Sequence, residues 1–284
     1  MKFLLLIPVI VASLHAQRPS NVTDKQRVER TFKRTADTPY KKVIVDNIAG
    51  DITVEGYEGD EIRLVVEQRY EAESDEKLKE AREEIILDVE EKHDRLILYV
   101  DSPWRDTWGR GHNRWDYYGF DAQFDFELKV PRKTELYLKT VNDGDIAVRG
   151  QVEGDFDFRN VNGGIEVNNI SGSGKMHTVN GPVKATFAAV PQSECSFNTV
   201  NGKIELEFPP NLNADLRLKT FNGNVYTDFD VEGLSRRILP VEIRRGRKVY
   251  HKDASFGVRI GSGGSTLFFE TLNGNIYILK STSH

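Results

Sequence analysis

Hydrophobic and polar residues alternate along the second half of the chain in a pattern that recurs at nearly regular intervals. The clearest copies are HTVNGPV at 177–183 and NTVNGKI at 198–204. In each copy an alternating run leads into Thr or Asn, an apolar residue, Asn and usually Gly, and a second alternating run follows. A period of two on both sides of a turn signal predicts two short strands per repeat, each with one face turned inward.

Alignment of the copies on the turn asparagine gives columns of equivalent residues. The turn column holds Asn142, Asn162, Asn180, Asn201, Asn222 and Asn273, and two residues earlier stand Thr140, Asn160, Thr178, Thr199, Thr220 and Thr271. No single repeat can bury its apolar face alone, but stacked repeats share a continuous core. The pattern therefore predicts an all-β fold, a parallel β-solenoid with about two short strands per coil, with regular coils over 134–280.

The part of the chain before this array, 42–133, is less regular. Residues 43–56, VIVDNIAGDITVEG, repeat the coil pattern, with Ala49 in place of the turn asparagine. The polar composition of residues 17–41 predicts an N-terminal extension that is extended or poorly ordered.

Three further elements are predicted between the early coil and the regular array. Residues 74–84 favour a short helix, and Ser74 is a suitable N-cap for it. The strand-like runs 85–89 and 95–100 predict a hairpin around 92–94, and residues 124–131 alternate as a further strand.

The first 16 residues have the layout of a secretory signal peptide. Lys2 precedes an apolar run that is too short to span a bilayer, and Ala16 is the small residue before the expected cut. We therefore expect an exported, soluble mature chain that begins near Gln17.

Composition narrows the function classes only a little. Loss of Lys2 with the signal peptide changes the formal net charge from −5 to −6. An acidic chain of this kind argues against a general nucleic-acid binder. The single cysteine, Cys195, cannot form an internal disulfide, so packing must supply the stability.

These motifs resemble a known family. Repeated T-V-N-G-x-I, the early coil at 43–56 and the closing stretch GVRIGSGGSTLFFETLNGNIYI at 257–278 are similar to the putative adhesin family of bacterial exported proteins. That family is a domain of unknown function with GIN-type β-strand repeats. The resemblance covers Val43 to Lys280 and implies a solenoid of the periplasm, the cell surface or the secreted fraction, with no catalytic residue to carry over. Two inserts depart from it, at 101–122 and 235–253.

The turn asparagines admit two interpretations. Asn and Gly tolerate positive φ, and each Asn side chain can bond to the next coil and so satisfy buried polar groups, which favours a structural ladder. The alternative is a polar row that binds sugar or metal. Asn alone is a poor metal ligand, and the sequence gives no sign of an accompanying Asp or Glu column.

The aromatic insert supplies the first set of candidate partner-binding residues. These are Trp104, Arg105, Trp108, Arg110, Trp115, Tyr117 and Tyr118. Aromatic and Arg side chains are enriched at interfaces, and Trp and Tyr faces also stack on sugar rings. The alternative is a loop that folds over the open end of the solenoid as a cap.

The basic insert supplies the second set, Arg244, Arg245 and Arg247. Contact with an anionic envelope polymer, with lipid head groups or with an acidic partner is one interpretation. A solvated hairpin that balances an acidic stretch elsewhere is the other.

No nucleotide-binding loop, serine elbow or metalloprotease motif is present in the sequence, and no cofactor is expected. Cys195 occupies an inward column and is expected to be a small buried hydrophobe. We therefore predict a non-enzymatic binding or structural module whose partner is a cell-envelope polymer or protein. The alternatives are a carbohydrate-active enzyme of the β-helix type and a regulatory protein of envelope stress.

Overall fold

The computed structural model describes residues 21–103, 105, 118–234, 241–244, 247–250 and 256–281. The predicted signal peptide lies outside these residues. In chain order the first elements are β1 (Val22–Lys33), β2 (Lys42–Asp46), β3 (Ile52–Tyr57), β4 (Glu61–Ala72), α1 (Asp75–Glu84), β5 (Ile86–Glu91), β6 (Arg95–Asp101) and β7 (Phe120–Pro131).

The remaining elements are all strands. They are β8 (Glu135–Lys139), β9 (Ile146–Arg149), β10 (Val152–Glu153), β11 (Phe156–Arg159), β12 (Ile165–Ser171), β13 (Gly174–His177), β14 (Val183–Phe187), β15 (Cys195–Asn201), β16 (Ile204–Phe208), β17 (Ala214–Asn222), β18 (Val225–Thr227), β19 (Val231–Gly233), β20 (Val241–Arg244), β21 (Arg247–Tyr250), β22 (Phe256–Ile260), β23 (Ser265–Asn273) and β24 (Ile276–Lys280).

The strands form two long sheets and one small hairpin. The first sheet has the order β1-β4-β7-β3-β9-β12-β14-β16-β24-β18, with β10 beside β12. The second has the order β19-β22-β17-β23-β15-β13-β11-β8-β2-β6-β5. Each coil runs along one strand of the second sheet, turns, and returns along one strand of the first. The coil strands pair in parallel and the added end strands pair antiparallel, so the predicted β-solenoid is confirmed as a fold with mixed sheets.

The order of the coils in space differs from their order in the sequence at both ends. At one end β6 and β7 lie outside β2 and β3, although they come later in the chain. At the other end β23 and β24 lie between the coils β15–β16 and β17–β18. The coil that closes the sequence is therefore the second from the end of the stack.

The helix α1 covers the end of the stack beyond the coil β6–β7. Ser74 is its N-cap and accepts a hydrogen bond from the backbone N–H of Lys77, as predicted. The helix packs against β4, β7 and β1 and buries Leu78 and Ala81. Beneath it Tyr70 meets Phe124 edge-on with ring centroids 5.9 Å apart.

Strand β1 lies within the predicted polar extension. It pairs with β4 along its whole length, and Phe32 near its end is buried. The predicted hairpin is present as β5 and β6, closed by the Lys92 N–H that donates to the Arg95 carbonyl.

The inward faces of the coil strands form the core, as the alternation predicts. Phe156, Phe158, Phe187, Phe197 and Phe208 are all buried. Phe187 stacks on Phe208 with ring centroids 4.7 Å apart. Among the residues that the structure describes, no helix is long and apolar enough to cross a membrane.

Candidate binding site

The turn asparagines form a continuous side-chain ladder along one corner of the coils. Each Nδ2 donates to the Oδ1 of the neighbouring coil. The donor-to-acceptor distances are 2.9 Å for Asn162 to Asn142, 2.9 Å for Asn180 to Asn162, 2.8 Å for Asn201 to Asn180, 2.7 Å for Asn273 to Asn201 and 2.8 Å for Asn222 to Asn273. All six side chains are exposed, so the expectation that this ladder satisfies buried polar groups is wrong.

The threonine column beside the ladder serves the buried polar groups. Thr140, Thr178 and Thr199 are buried, and each Oγ1 donates to a glycine carbonyl of the preceding coil at 2.7–2.9 Å. Asn160 takes the same place in its coil and donates to the carbonyls of Gly144 and Gly164. These bonds hold each turn against the next.

Asn47 belongs to the same column, and the sequence alignment missed it because its coil lacks the turn asparagine. It is fully buried and donates to the carbonyls of Ala49, Gly50 and Phe124. Alignment of the β2 and β8 sequences could have found it, because their register places Asn47 beside Thr140.

Glycine in these turns is required by close approach and not by positive φ. Gly181, Gly202 and Gly274 lack positive φ, so the expectation of left-handed residues is wrong for these three turns, whereas Asp143 in the Asn142 turn has a φ of 50°. A Cβ on Gly202 would lie 2.0 Å from the Gly181 carbonyl oxygen of the next coil. The stacking distance of the coils therefore leaves no room for a side chain there.

An aspartate column does accompany the turns at the N-terminal end, contrary to the sequence expectation. Asp125 accepts from the Asp51 N–H at 2.9 Å, Asp51 from the Asp145 N–H at 2.7 Å, and Asp145 from the Gly164 N–H at 2.6 Å. These carboxylates bind backbone groups of the following coil. No group of three acidic, His or Cys side chains in the described part of the chain is arranged to hold a metal ion.

The aromatic insert lies in the chain between β6 and β7. Trp104, Trp108, Arg110, Trp115 and Tyr117 lie outside the described residues. Tyr118 is half-buried, with its ring centroid 5.8 Å from that of Phe120.

Arg105, at the root of this insert, is held against the coil surface. Its Nη1 lies 3.1 Å from Asp46 Oδ1, its Nη2 donates to the Asp46 carbonyl, and its guanidinium stacks 4.2 Å from the centroid of the Tyr99 ring. The side chain is 15% exposed.

The basic insert contains the small antiparallel hairpin β20–β21. Arg244 lies opposite Arg247 in its register, and Arg245 lies outside the described residues. The backbone thus places two of the three predicted residues side by side at the end of the hairpin.

Cys195 is buried, as expected from its column. Burial raises the pKa of its thiol above the ordinary value, which disfavours the thiolate. His177 pairs with Asn198 in the strand register and is exposed, so it does not face the thiol.

The structure contains a cleft of about 750 Å³ at the corner opposite the asparagine ladder. Three adjacent crossings from the first sheet to the second form it. They are residues 34–41 before β2, residues 132–134 before β8 and residues 150–155 before β11. Its charged lining residues are Arg34, Lys41, Lys133, Glu135, Glu153 and Asp155.

Arg34 is the most confined of these charged groups. Its guanidinium donates to the carbonyl oxygens of Tyr40 and Lys133 and to Thr134 Oγ1, at 2.8, 3.3 and 2.5 Å. Its Nε is buried without a hydrogen-bond partner. Burial lowers the pKa of the Arg34 guanidinium from its ordinary value, because desolvation disfavours the charged form.

The family model described as Toastrack DUF4097 matches residues 133–250. This part of the chain is similar to a Toastrack domain. The match confirms the resemblance that the repeats predict. The Toastrack segment begins just before β8 and ends in β21, so it supplies one of the three crossings of the cleft and part of a second. Segment 34–41 and the β23–β24 coil lie outside it.

Solved structures of low sequence identity are among the proteins to which this chain is similar. A putative cell adhesion protein from Clostridium sporogenes is 10% identical, with 91% of this chain and 100% of that chain covered and a TM-score of 0.44. A putative adhesin from Bacteroides fragilis is 9% identical, with coverages of 90% and 97% and a TM-score of 0.30. At these values nothing about function follows from either similarity. No curated protein matches this chain in sequence.

Proposed function

We propose that this chain is an exported, non-enzymatic β-solenoid that acts as a surface or periplasmic binding or structural module of the bacterial cell envelope. The Toastrack domain and its added coils form a rigid rod, and the rod presents a charged cleft to an envelope polymer. Export rests on the signal-peptide layout of the first 16 residues.

The use of the repeated residues supports this proposal. The asparagine ladder and the threonine column are both engaged in bonds between coils, so the motif that recurs most builds the rod. The irregular corner is different, because there Arg34, Lys133 and Glu153 come from separate crossings and meet around one open volume. That cleft is the observation that carries the proposal.

A retention assay with isolated envelope fractions tests this function. The mature chain, immobilised on a resin, is incubated separately with peptidoglycan, with envelope polysaccharide and with lipid vesicles. We expect one polymer fraction to be retained, because the cleft offers charged groups of both signs to a polar ligand.

A steric block locates the binding. Ala36→Trp fills the cleft mouth and should abolish retention. Ala189→Trp places the same side chain at an exposed bend on the same corner, several coils away, and should leave retention unchanged. Absence of retention of every fraction by the unmodified chain would overturn the proposed function.

The partner residues that the sequence indicates in the two inserts stay predictions. Replacement of Trp104, Trp108 and Trp115 by Ala in the same assay tests the aromatic insert. Replacement of Arg244 and Arg247 by Gln tests the basic one. Retention that falls in either variant would extend the binding surface beyond the cleft.

A carbohydrate-active enzyme is favoured by one observation, since Glu135, Glu153 and Asp155 line the same cleft. Paired carboxylates in a groove are the usual machinery of glycoside hydrolysis. A reducing-end assay with the retained polymer separates the two functions. The binding module releases no new ends, whereas release that disappears in Glu153→Gln would establish the enzyme.

A further inference from the structure

We propose that the cleft binds a saccharide that carries a single carboxylate, with its acid group towards Arg34, Lys41 and Lys133 and its hydroxyls towards Glu153 and Asp155. This inference rests on the proposed function and specifies the ligand class of the same site. The source we commit to is a uronic-acid-containing envelope polysaccharide.

The positive charge of Arg34 is not compensated by a carboxylate among the described residues. Its three acceptors, two carbonyl oxygens and the hydroxyl of Thr134, are all neutral. Among the described residues no carboxylate lies within ion-pair distance of this guanidinium. A partly desolvated cation without a counter-ion gains when an anion enters beside it. Arg34 also keeps its planar, permanently charged group, which suits a carboxylate.

Two more cations, Lys41 and Lys133, line the same cleft. Lys41 and Lys133 are exposed, and neither has an ion-pair partner in the described part of the chain. The Lys133 carbonyl accepts from Arg34, which places its backbone beside the guanidinium. The neighbouring Lys42 differs, because it pairs with Glu135 at 3.2 Å.

The positive and negative side chains that line the cleft do not cancel. Because Lys42 compensates Glu135 from outside, the lining is left with three cations against the two carboxylates Glu153 and Asp155. The remaining charge is one positive unit. A monoanion matches it, whereas a polyanion such as a multiply phosphorylated lipid would also meet the two carboxylates and be repelled.

The lining carboxylates Glu153 and Asp155 can accept hydrogen bonds from the hydroxyl groups of a ligand. Ionised carboxylates only accept hydrogen bonds, and sugar hydroxyls are suitable donors to them. Glu153 and Asp155 lie on one crossing, Lys133 lies on the next, and Lys41 lies on the one after that. A ligand that spans the cleft therefore meets donors on one side and acceptors on the other, which a sugar acid satisfies and bare phosphate does not.

The volume of the cleft suits a small ligand. Ligand clefts are roughly 300–1,000 Å³ in volume, and this cleft falls within that range at about 750 Å³. Gly154 keeps the crossings close, because a Cβ there would lie 2.5 Å from the Thr134 carbonyl oxygen. The volume admits a short oligosaccharide segment.

Calorimetric titration of the full mature chain with a galactose trisaccharide in which one residue is replaced by galacturonic acid, so that it carries a single carboxylate, tests this inference. The matched ligand is its methyl ester, which keeps the sugar rings and hydroxyls but removes the charge. We expect the acid to bind at least about tenfold more tightly than the ester at low salt, with the difference shrinking as salt is added. Equal affinities would overturn the inference.

The double variant Lys41→Gln with Lys133→Gln assigns the acid group to the cleft. Both side chains are exposed, so folding is retained. Binding of the acid should weaken by about tenfold, as expected for two partly exposed charges. The control variant Lys25→Gln with Lys175→Gln removes two exposed lysines elsewhere that have no ion-pair partner among the described residues, and it should bind as the unmodified chain does. An unchanged affinity in the cleft variant would contradict the assignment.

Inorganic phosphate as a competitor separates a sugar-acid site from a general anion site. Phosphate at the concentration of the trisaccharide should not displace it. Displacement would overturn the saccharide part of the inference. Envelope retention that persists while the singly charged trisaccharide fails to bind overturns the ligand class and leaves the proposed function intact.

Discussion

The Asn273 side chain donates to Asn201 Oδ1 at 2.7 Å, although 72 positions separate the two residues in the chain. Asn222 then donates to Asn273, so the residue that continues the sequence repeat is displaced by one coil. The C-terminal coil is therefore inserted between two coils that are neighbours in the sequence. The ladder stays continuous because every coil presents the same side chain at the same corner.

We expect the buried threonine column to contribute more to stability than its exposed counterparts. Thr199→Val removes the bond from Oγ1 to the Gly181 carbonyl and leaves that carbonyl unpaired, which should cost about 1–3 kcal/mol of unfolding free energy. Thr186→Val, on the outer face of β14, should change it by less than about 0.5 kcal/mol. Urea denaturation of both variants measures the difference, and equal costs would contradict the role assigned to the column.

Gly202→Ala tests the packing distance of the turns. Its Cβ would meet the Gly181 carbonyl oxygen at 2.0 Å, so the coils must move apart, at a cost of about 1–3 kcal/mol or more. Gly233→Ala meets nothing within 4 Å and is the matched control. Thermal unfolding should separate the two variants clearly. A Gly202→Ala protein as stable as the Gly233→Ala protein would show that the turns are not closely stacked.

The exposed asparagine ladder should be worth less per residue than the buried column. Asn201→Ala removes two ladder bonds, and Asn222→Ala at the end removes one. We expect a loss of about 1 kcal/mol at Asn201 and about half of that at Asn222, because solvent replaces the lost partners. Denaturation curves of both variants give the two losses of unfolding free energy. A larger loss at Asn222 than at Asn201 would contradict this prediction.

The pair Asp215 and Arg259 should make stability depend on pH. Arg259 holds Asp215 through two hydrogen bonds, at 2.7 and 2.9 Å, and these lower the pKa of the Asp215 carboxyl below its ordinary value. A carboxyl with a depressed pKa stabilises the fold above the ordinary value of about 3.9 and loses this contribution as pH falls through the folded value.

Unfolding free energies of the unmodified chain and of Asp215→Asn, measured from pH 7 to pH 2.5, check this dependence. The difference between them should be constant above about pH 5 and shrink below about pH 4. A difference that grows on acidification would show that Asp215 is not ion-paired in the folded state.

The fold could be predicted from the sequence because each coil repeats the same local signals. Inward residues such as Phe158 and Phe197 and the turn residues Asn180 and Asn201 have fixed positions relative to each other, so the columns follow from alignment. The order of the coils could not be predicted, since identical signals do not specify which coil lies next to which. Exposure of the ladder was missed for a related reason, because alternation does not say on which side of a corner a side chain lies.

The cleft could not be predicted from the sequence. Arg34, Lys133 and Glu153 belong to three irregular crossings with no shared motif, and only the stacking of β2, β8 and β11 brings them together. The sequence favoured the two inserts because aromatic and basic residues are concentrated there. At the cleft, by contrast, charged residues that are far apart in the sequence lie close together in the structure.

Chemical-shift mapping tests the central claim that this β-solenoid binds its ligand at the cleft. The retained envelope polysaccharide, cut to short oligosaccharides, is titrated into the isotopically labelled mature chain, and the backbone amide shifts are followed. We predict that the shifts concentrate at 34–41, 132–135 and 153–155 and leave the turn asparagines from Asn142 to Asn222 unchanged. Saturable shifts confined to the asparagine corner or to the inserts, with the cleft unaffected, would contradict this account.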